Sequence, residues 1–135
     1  AEDAVILASL NKIILSTNSH TSAYGYAPTG SQLVSSLSNS IPLSNFCDDK
    51  SCLFKIDSVY LPNNCDTTNY LGDGNQECYF YYEKIVDSNS NPRKSRDYKL
   101  YVKNFGTQEI IVYDSTIQKI QLCSYDFNLS NCNDL

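Results

Sequence analysis

Few residues of this chain carry the chemistry that catalysis needs. His20 is its single histidine, set in the polar run Asn18-Ser-His-Thr21. A general base there needs a nucleophile or a substrate within reach, and no G-x-S-x-G or comparable nucleophile pattern occurs. It reads as a solvated loop histidine. Gly72-Asp-Gly-Asn-Gln-Glu77 alternates the oxygen ligands Asp73, Asn75 and Glu77, with Asp66 nearby. The run does not fit the D-x-[DN]-x-[DN]-G-x₅-E calcium loop, and a glycine-bearing turn tethered at Cys65 and Cys78 accounts for it equally. The expectation is therefore a protein that is not an enzyme, with no metal and no cofactor.

A second pattern concerns charge. Arg93, Lys94, Arg96, Lys99 and Lys103 supply half of the ten basic residues within eleven positions, with Tyr98 and Tyr101 between them. Such a strip could contact phosphates while its tyrosines stack on exposed bases. The competing reading is a solvated hairpin tip whose lysines keep an edge strand from pairing with other chains. The rest of the chain is acidic, with 15 carboxylates and a net charge of -5. That excludes a wholly electrostatic binder of nucleic acid or anionic membrane.

Six cysteines fall as three sequential neighbours: Cys47 and Cys52, Cys65 and Cys78, Cys123 and Cys132. No Cys-x-x-Cys occurs, which argues against a zinc ribbon. An even count in a small Asn-, Ser- and Tyr-rich domain points to an oxidising compartment, against the alternative of free buried thiols in the cytosol. Six cysteines allow 15 pairings. Nearest-neighbour pairing is expected, because each pair brackets a short polar stretch.

These residues need a scaffold, and 135 residues make one domain with a single core. The longest strictly apolar run, Ala4 to Ala8, is far short of the ~20 residues of a bilayer span. Ile6, Leu10, Ile13 and Ile14 follow helical spacing, so residues 1–17 read as a helix whose stripe packs inward on a sheet. It is helical from its first residue, with Glu2 and Asp3 where a helix N-terminus favours carboxylates and no capping residue ahead. The chain also has no Met. Both features suggest that the helix is cut at Ala1 and that an anchor lies upstream.

Residues 18–52 read as a connecting region holding a short helix over Ser31 to Ser38, with Leu33, Val34 and Leu37 on one side. From residue 53 the period changes to two. Alternating segments near 53–60, 78–86, 97–105, 109–113 and 117–123 suggest an antiparallel meander of about four strands, with tyrosines at 79, 81, 82, 98 and 101 on neighbouring strands. The fold class is α+β: one helix first, then the sheet and a terminal disulfide loop over 53–135.

This arrangement resembles the soluble part of a type IV pilin or pseudopilin. The resemblance lies in the opening Glu2-Asp-Ala-Val5, the glycine- and proline-bearing connection from Tyr24 to Leu43, and the C-terminal pair Cys123 and Cys132. It implies a pilin-like fold, an N-terminal amphipathic helix packed on the sheet, and a disulfide-bounded loop facing outward. It also implies a non-enzymatic minor pilin contributing to filament assembly, adhesion or DNA uptake, with other pilin subunits as partners. A host surface or DNA could be contacted, and the membrane only through a missing N-terminal segment. The implied location is the bacterial inner membrane and periplasm, then an extracellular pilus fibre. The alternatives are a type II secretion pseudopilin, or a freestanding secreted binding module that uses the strip from Arg93 to Lys103.

Overall fold

The computed structural model describes residues 2–56, 80–85, 95–103, 109–126 and 128–135. Two helices precede seven strands: α1 (Glu2–Tyr24), α2 (Gly30–Ser36), β1 (Ser40–Cys47), β2 (Ser51–Ile56), β3 (Phe80–Lys84), β4 (Tyr98–Lys103), β5 (Glu109–Asp114), β6 (Lys119–Asp126) and β7 (Asn128–Asp134). The strands form one antiparallel sheet in the order β1-β2-β3-β4-β5-β6-β7, each paired with its neighbours in sequence.

This architecture overturns the expected pilin-like fold, a helix on a sheet of about four strands. The sheet has seven strands, and two helices precede it. The two strands that periodicity did not announce are the outermost. β1 contains Pro42, which an edge strand tolerates because half of its backbone groups need no partner. Its register with β2 shifts between Pro42 and Cys47. In β7, Asn131 and Cys132 together oppose Cys123 of β6, and Asn131 takes the left-handed conformation at φ 52°. This is a bulge at a residue type that tolerates positive φ.

Residues 18–52 are likewise more ordered than a connection. Helix α1 runs on to Tyr24, with Thr17 Oγ1 donating to Ile13 O at 2.8 Å and Thr21 Oγ1 to Thr17 O at 3.0 Å. These hydroxyls satisfy themselves on the turn behind them, so the polar run does not break the helix. Gly25, at φ 81°, ends it and donates its N–H to Thr21 O at 2.8 Å. Helix α2 starts at a capping box. Thr29 accepts from the Gln32 N–H at 3.1 Å, and Gln32 Oε1 accepts from the Thr29 N–H at 3.0 Å.

Alternation gives the sheet two apolar faces. On one, Cys52, Phe54, Phe80, Tyr82, Tyr98, Leu100, Val102, Ile111 and Tyr113 form a single buried cluster with Leu10 and Ile13 of α1 and Leu33 and Val34 of α2. Ile14 is partly buried against this cluster. The Ile6 side chain lies outside the described residues. On the other face Leu53, Tyr101, Ile110, Val112 and Cys123 form a second buried cluster. Phe54 and Phe80 stack at 5.7 Å between ring centroids, Tyr81 and Tyr101 at 5.5 Å, as expected of cross-strand aromatic pairs.

Candidate functional site

The cysteines set the frame. Cys47 is joined to Cys52 and Cys123 to Cys132. The first bridge ties β1 to β2 and the second ties β6 to β7, so the two outermost strand pairs of one sheet are each covalently closed. The pair Cys65 and Cys78 lies outside the described residues, as does the oxygen-rich run over 72–77. The terminal bridge lies within paired strands, not in a free loop, although residues 131–135 are exposed.

Of the basic strip only Arg96 and Lys99 have described side chains, and these two do not share a surface. Arg93 and Lys94 lie outside the described residues, and so does the side chain of Lys103. Lys99 sits in β4 opposite Asp114 of β5, with Nζ 3.9 Å from its carboxylate. Its neighbours in β4, Tyr98 and Leu100, belong to the helix-side cluster, so alternation places Lys99 on the opposite face. Arg96 precedes the strand on the helix side, where it lines a polar cleft with Tyr98. Arg96 and Lys99 therefore address different surroundings.

That cleft, about 500 Å³ in volume, opens where three elements meet. The last turns of α1 contribute Asn18 and Thr21. The start of β4 contributes Arg96, Asp97 and Tyr98. The end of β5 and the turn into β6 contribute Tyr113, Ser115 and Gln118. Four hydrogen bonds tie its walls together. Tyr98 donates its phenolic hydrogen to Asn18 Oδ1 at 2.9 Å. Ser115 Oγ donates to Asp97 Oδ1 at 3.1 Å and accepts from the Tyr98 N–H at 2.9 Å. The Ser115 N–H returns to Tyr98 O at 3.0 Å. Burial raises the Tyr98 and Tyr113 hydroxyl pKa values, so both phenols stay protonated donors across the physiological range.

The turn itself is built by Asp114. Its Oδ1 accepts from the N–H of Thr116 at 2.9 Å and from that residue's hydroxyl at 2.6 Å, while its carbonyl accepts from the Gln118 N–H at 2.8 Å. Gln118 closes the turn at φ 55°. The gap between the alternating segments 109–113 and 117–123 leaves room for this turn, but nothing in the sequence marks the cleft. Asn18, Thr21, Asp97 and Ser115 show no motif spacing, and only the fold brings them together.

His20 is not a loop residue. It lies within α1, half-buried, its Nδ1 3.1 Å from Tyr26 O and its ring packed between Tyr24 at 4.6 Å and Tyr26 at 5.6 Å. It is engaged in holding the chain reversal after the helix. Among the described residues no group of three His, Cys, Asp or Glu side chains is placed to hold a metal ion, and no helix is long and apolar enough to cross a membrane. The chain matches no protein-family model, no curated protein and no solved structure.

Proposed function

We propose that this chain is a non-enzymatic structural and adhesive domain that works outside the reducing cytosol, as a subunit or module of a surface assembly. One observation carries the reading: the two described disulfides close the outermost strand pairs at opposite ends of a single sheet. Edge strands are where a sheet frays, and where it pairs with the wrong chain. Covalent closure at both ends suits a domain exposed to proteases and shear, and it requires an oxidising environment. The minor-pilin kind of function implied by the sequence belongs within this reading, as a filament partner among others. The pilin fold does not. The alternative module that uses the strip from Arg93 to Lys103 is less favoured: of its five basic side chains only those of Arg96 and Lys99 are described, these lie on different faces, and Lys99 pairs with Asp114.

The test uses the protein made by its native cell. Non-reducing peptide mass spectrometry should show the Cys47–Cys52 and Cys123–Cys132 linkages, and protease added to intact cells should cleave the domain. Free thiols at these four positions, or full protection from external protease together with recovery in the cytosolic fraction, would overturn the reading.

A further inference from the structure

The cleft between the end of α1 and the β5–β6 turn holds more polar capacity than its own hydrogen bonds consume. Tyr98 fixes the oxygen of the Asn18 amide, and among the described residues the two N–H donors of that amide have no partner. The Arg96 guanidinium forms no ion pair with a described residue, and the Gln118 amide makes no side-chain hydrogen bond with one. Asp97 engages one carboxylate oxygen with Ser115. The second oxygen is an acceptor at the same rim.

Gln118 adds an observation of a different kind. Among the described residues, three other than glycine have positive φ: Asn39, Gln118 and Asn131. Two are asparagines, the usual occupants of that region. A glutamine there is strained relative to glycine, because its Cβ crowds the backbone. A turn that needs only closing would be better served by glycine or asparagine. Gln118 is among the residues that line the cleft, and its side-chain amide carries both a donor and an acceptor.

We propose that this cleft binds a saccharide, about one or two sugar rings in size. Among the described lining residues Arg96 and Asp97 are the charged pair and are of opposite sign, so that lining favours neither an anion nor a cation. An anion arriving at Arg96 meets the Asp97 carboxylate, and an ammonium arriving at Asp97 meets the guanidinium. Sugar hydroxyls donate and accept at once. A vicinal pair can therefore satisfy the carboxylate together with an amide or guanidinium donor, which is what Asp97, Arg96, Asn18 and Gln118 offer. The volume of about 500 Å³ falls within the range of small-molecule sites. The tyrosine floor keeps the polar groups in place: Tyr98 and Tyr113 are buried, with ring centroids 5.8 Å apart. The inference rests on the adhesive reading above, to which it adds a ligand class.

The test is an amide NMR titration of the folded, disulfide-bonded chain with the methyl glycosides of glucose, galactose, mannose and N-acetylglucosamine, and separately with inorganic phosphate. The expected result is saturable shifts at residues 18, 96–98 and 115–118 with at least one glycoside, and none with phosphate. Gln118→Gly should weaken that binding about 3- to 10-fold, the loss of one neutral hydrogen-bonding group, while raising the midpoint of thermal unfolding by relieving the turn. A purely structural Gln118 would give the stability gain alone, which overturns its assigned role in the site. Arg96→Ala should weaken binding without altering the fold. Phosphate shifts at these residues, or no saturable shift with any glycoside up to about 100 mM, would overturn the saccharide assignment. A silent titration leaves the surface reading intact, because that reading stands or falls on thiol state and protease access.

Discussion

Lys84 Nζ lies 5.8 Å from the centroid of the Tyr26 ring, at the edge of cation–π range. Lys84 is 3% exposed, and among the described residues Nζ has no hydrogen-bond partner. Lys84 shares the helix-side face of β3 with Phe80 and Tyr82, so the sheet carries an ammonium at the margin of its main core. Burial lowers its pKa, with the Asp49 carboxylate acting weakly in the opposite sense.

A buried cation without a hydrogen bond costs more than the ring returns, since a cation–π contact contributes about 1 kcal/mol. Lys84→Met keeps the length of the stem and removes the charge. It is expected to raise the free energy of unfolding near neutral pH by about 1–3 kcal/mol. The pH dependence gives a second check. With the folded pKa below the unfolded value of about 10.4, the unfolded chain binds more protons between the two, so stability rises with pH across that window. Urea unfolding at pH 7 and pH 9.5 should show this rise in the parent and lose it in Lys84→Met. Equal stability of the two chains at pH 7 would contradict the account.

Gly30 opens α2 against the β1–β2 turn. A Cβ placed there would meet Ser51 O at 2.6 Å and Asp48 O at 2.7 Å, both backbone atoms in a hairpin that Cys47–Cys52 closes. Neither can yield cheaply. Gly30→Ala is expected to destabilise the fold by about 1–3 kcal/mol, despite alanine's helix advantage of about 1 kcal/mol. Gly25→Ala is the contrast: nothing lies within 4 Å of its Cβ, and its cost comes only from φ 81°, about 1–2 kcal/mol. Gly25→Asn should recover part of that second loss, and no substitution should recover the first. Thermal unfolding of the three variants checks the distinction.

What the sequence disclosed and what it hid have separate physical causes. Period-two alternation exposed β4, where Tyr98, Leu100 and Val102 face the helices, and helical spacing exposed Leu10 and Ile13. The capping box Thr29-x-x-Gln32 starts α2 at Gly30, one residue ahead of the Ser31 start expected from the spacing of its apolar residues. The edge strands were not legible, because Ser40–Cys47 and Asn128–Asp134 are rich in Ser, Asn and Asp and contain a proline or a bulge. Their strand state comes from a neighbour's backbone and a disulfide, neither of which leaves a period in the sequence. The cleft was hidden for a related reason: Asn18 and Tyr98 stand 80 residues apart and meet only when α1 lies across the sheet.

Alkaline pH should unfold the domain through its tyrosines. Burial, reinforced by the Glu83 carboxylate, pushes the Tyr81 hydroxyl up to about 12. Burial raises Tyr82 and Tyr98 further; Tyr82 is fully buried and donates to Pro28 O at 2.6 Å. An unfolded tyrosine ionises near pH 10. Above that pH the unfolded chain binds fewer protons than the folded one, so stability falls as pH rises. Phenolate absorbance is expected to rise in two stages, first from exposed tyrosines and then together with loss of the far-ultraviolet circular dichroism. Tyr82→Phe removes one raised group but leaves Pro28 O without its donor. It should cost about 1–2 kcal/mol at pH 7, and less than that at pH 11.

The two described disulfides should differ little in thermodynamic weight and much in consequence. In the chain-entropy account, loops with separations of 5 and 9 residues each contribute roughly 2–3 kcal/mol. Cys47→Ser/Cys52→Ser releases a hairpin that α2 still covers, since Leu33 and Val34 pack in one cluster with Cys52 and Phe54. Cys123→Ser/Cys132→Ser releases β7, whose residues 131–135 are exposed and whose remaining ties to β6 include the Gln121–Asp134 hydrogen bond at 2.9 Å and the Lys119–Asp134 ion pair at 3.1 Å. Exposed pairs of that kind contribute little and weaken in salt. Limited proteolysis should therefore cut the second variant first, between β6 and β7, and faster at high ionic strength. Hydrogen exchange should show β7 opening while β4 and β5 stay protected. If the first variant opens first, α2 is not what holds the β1 end of the sheet.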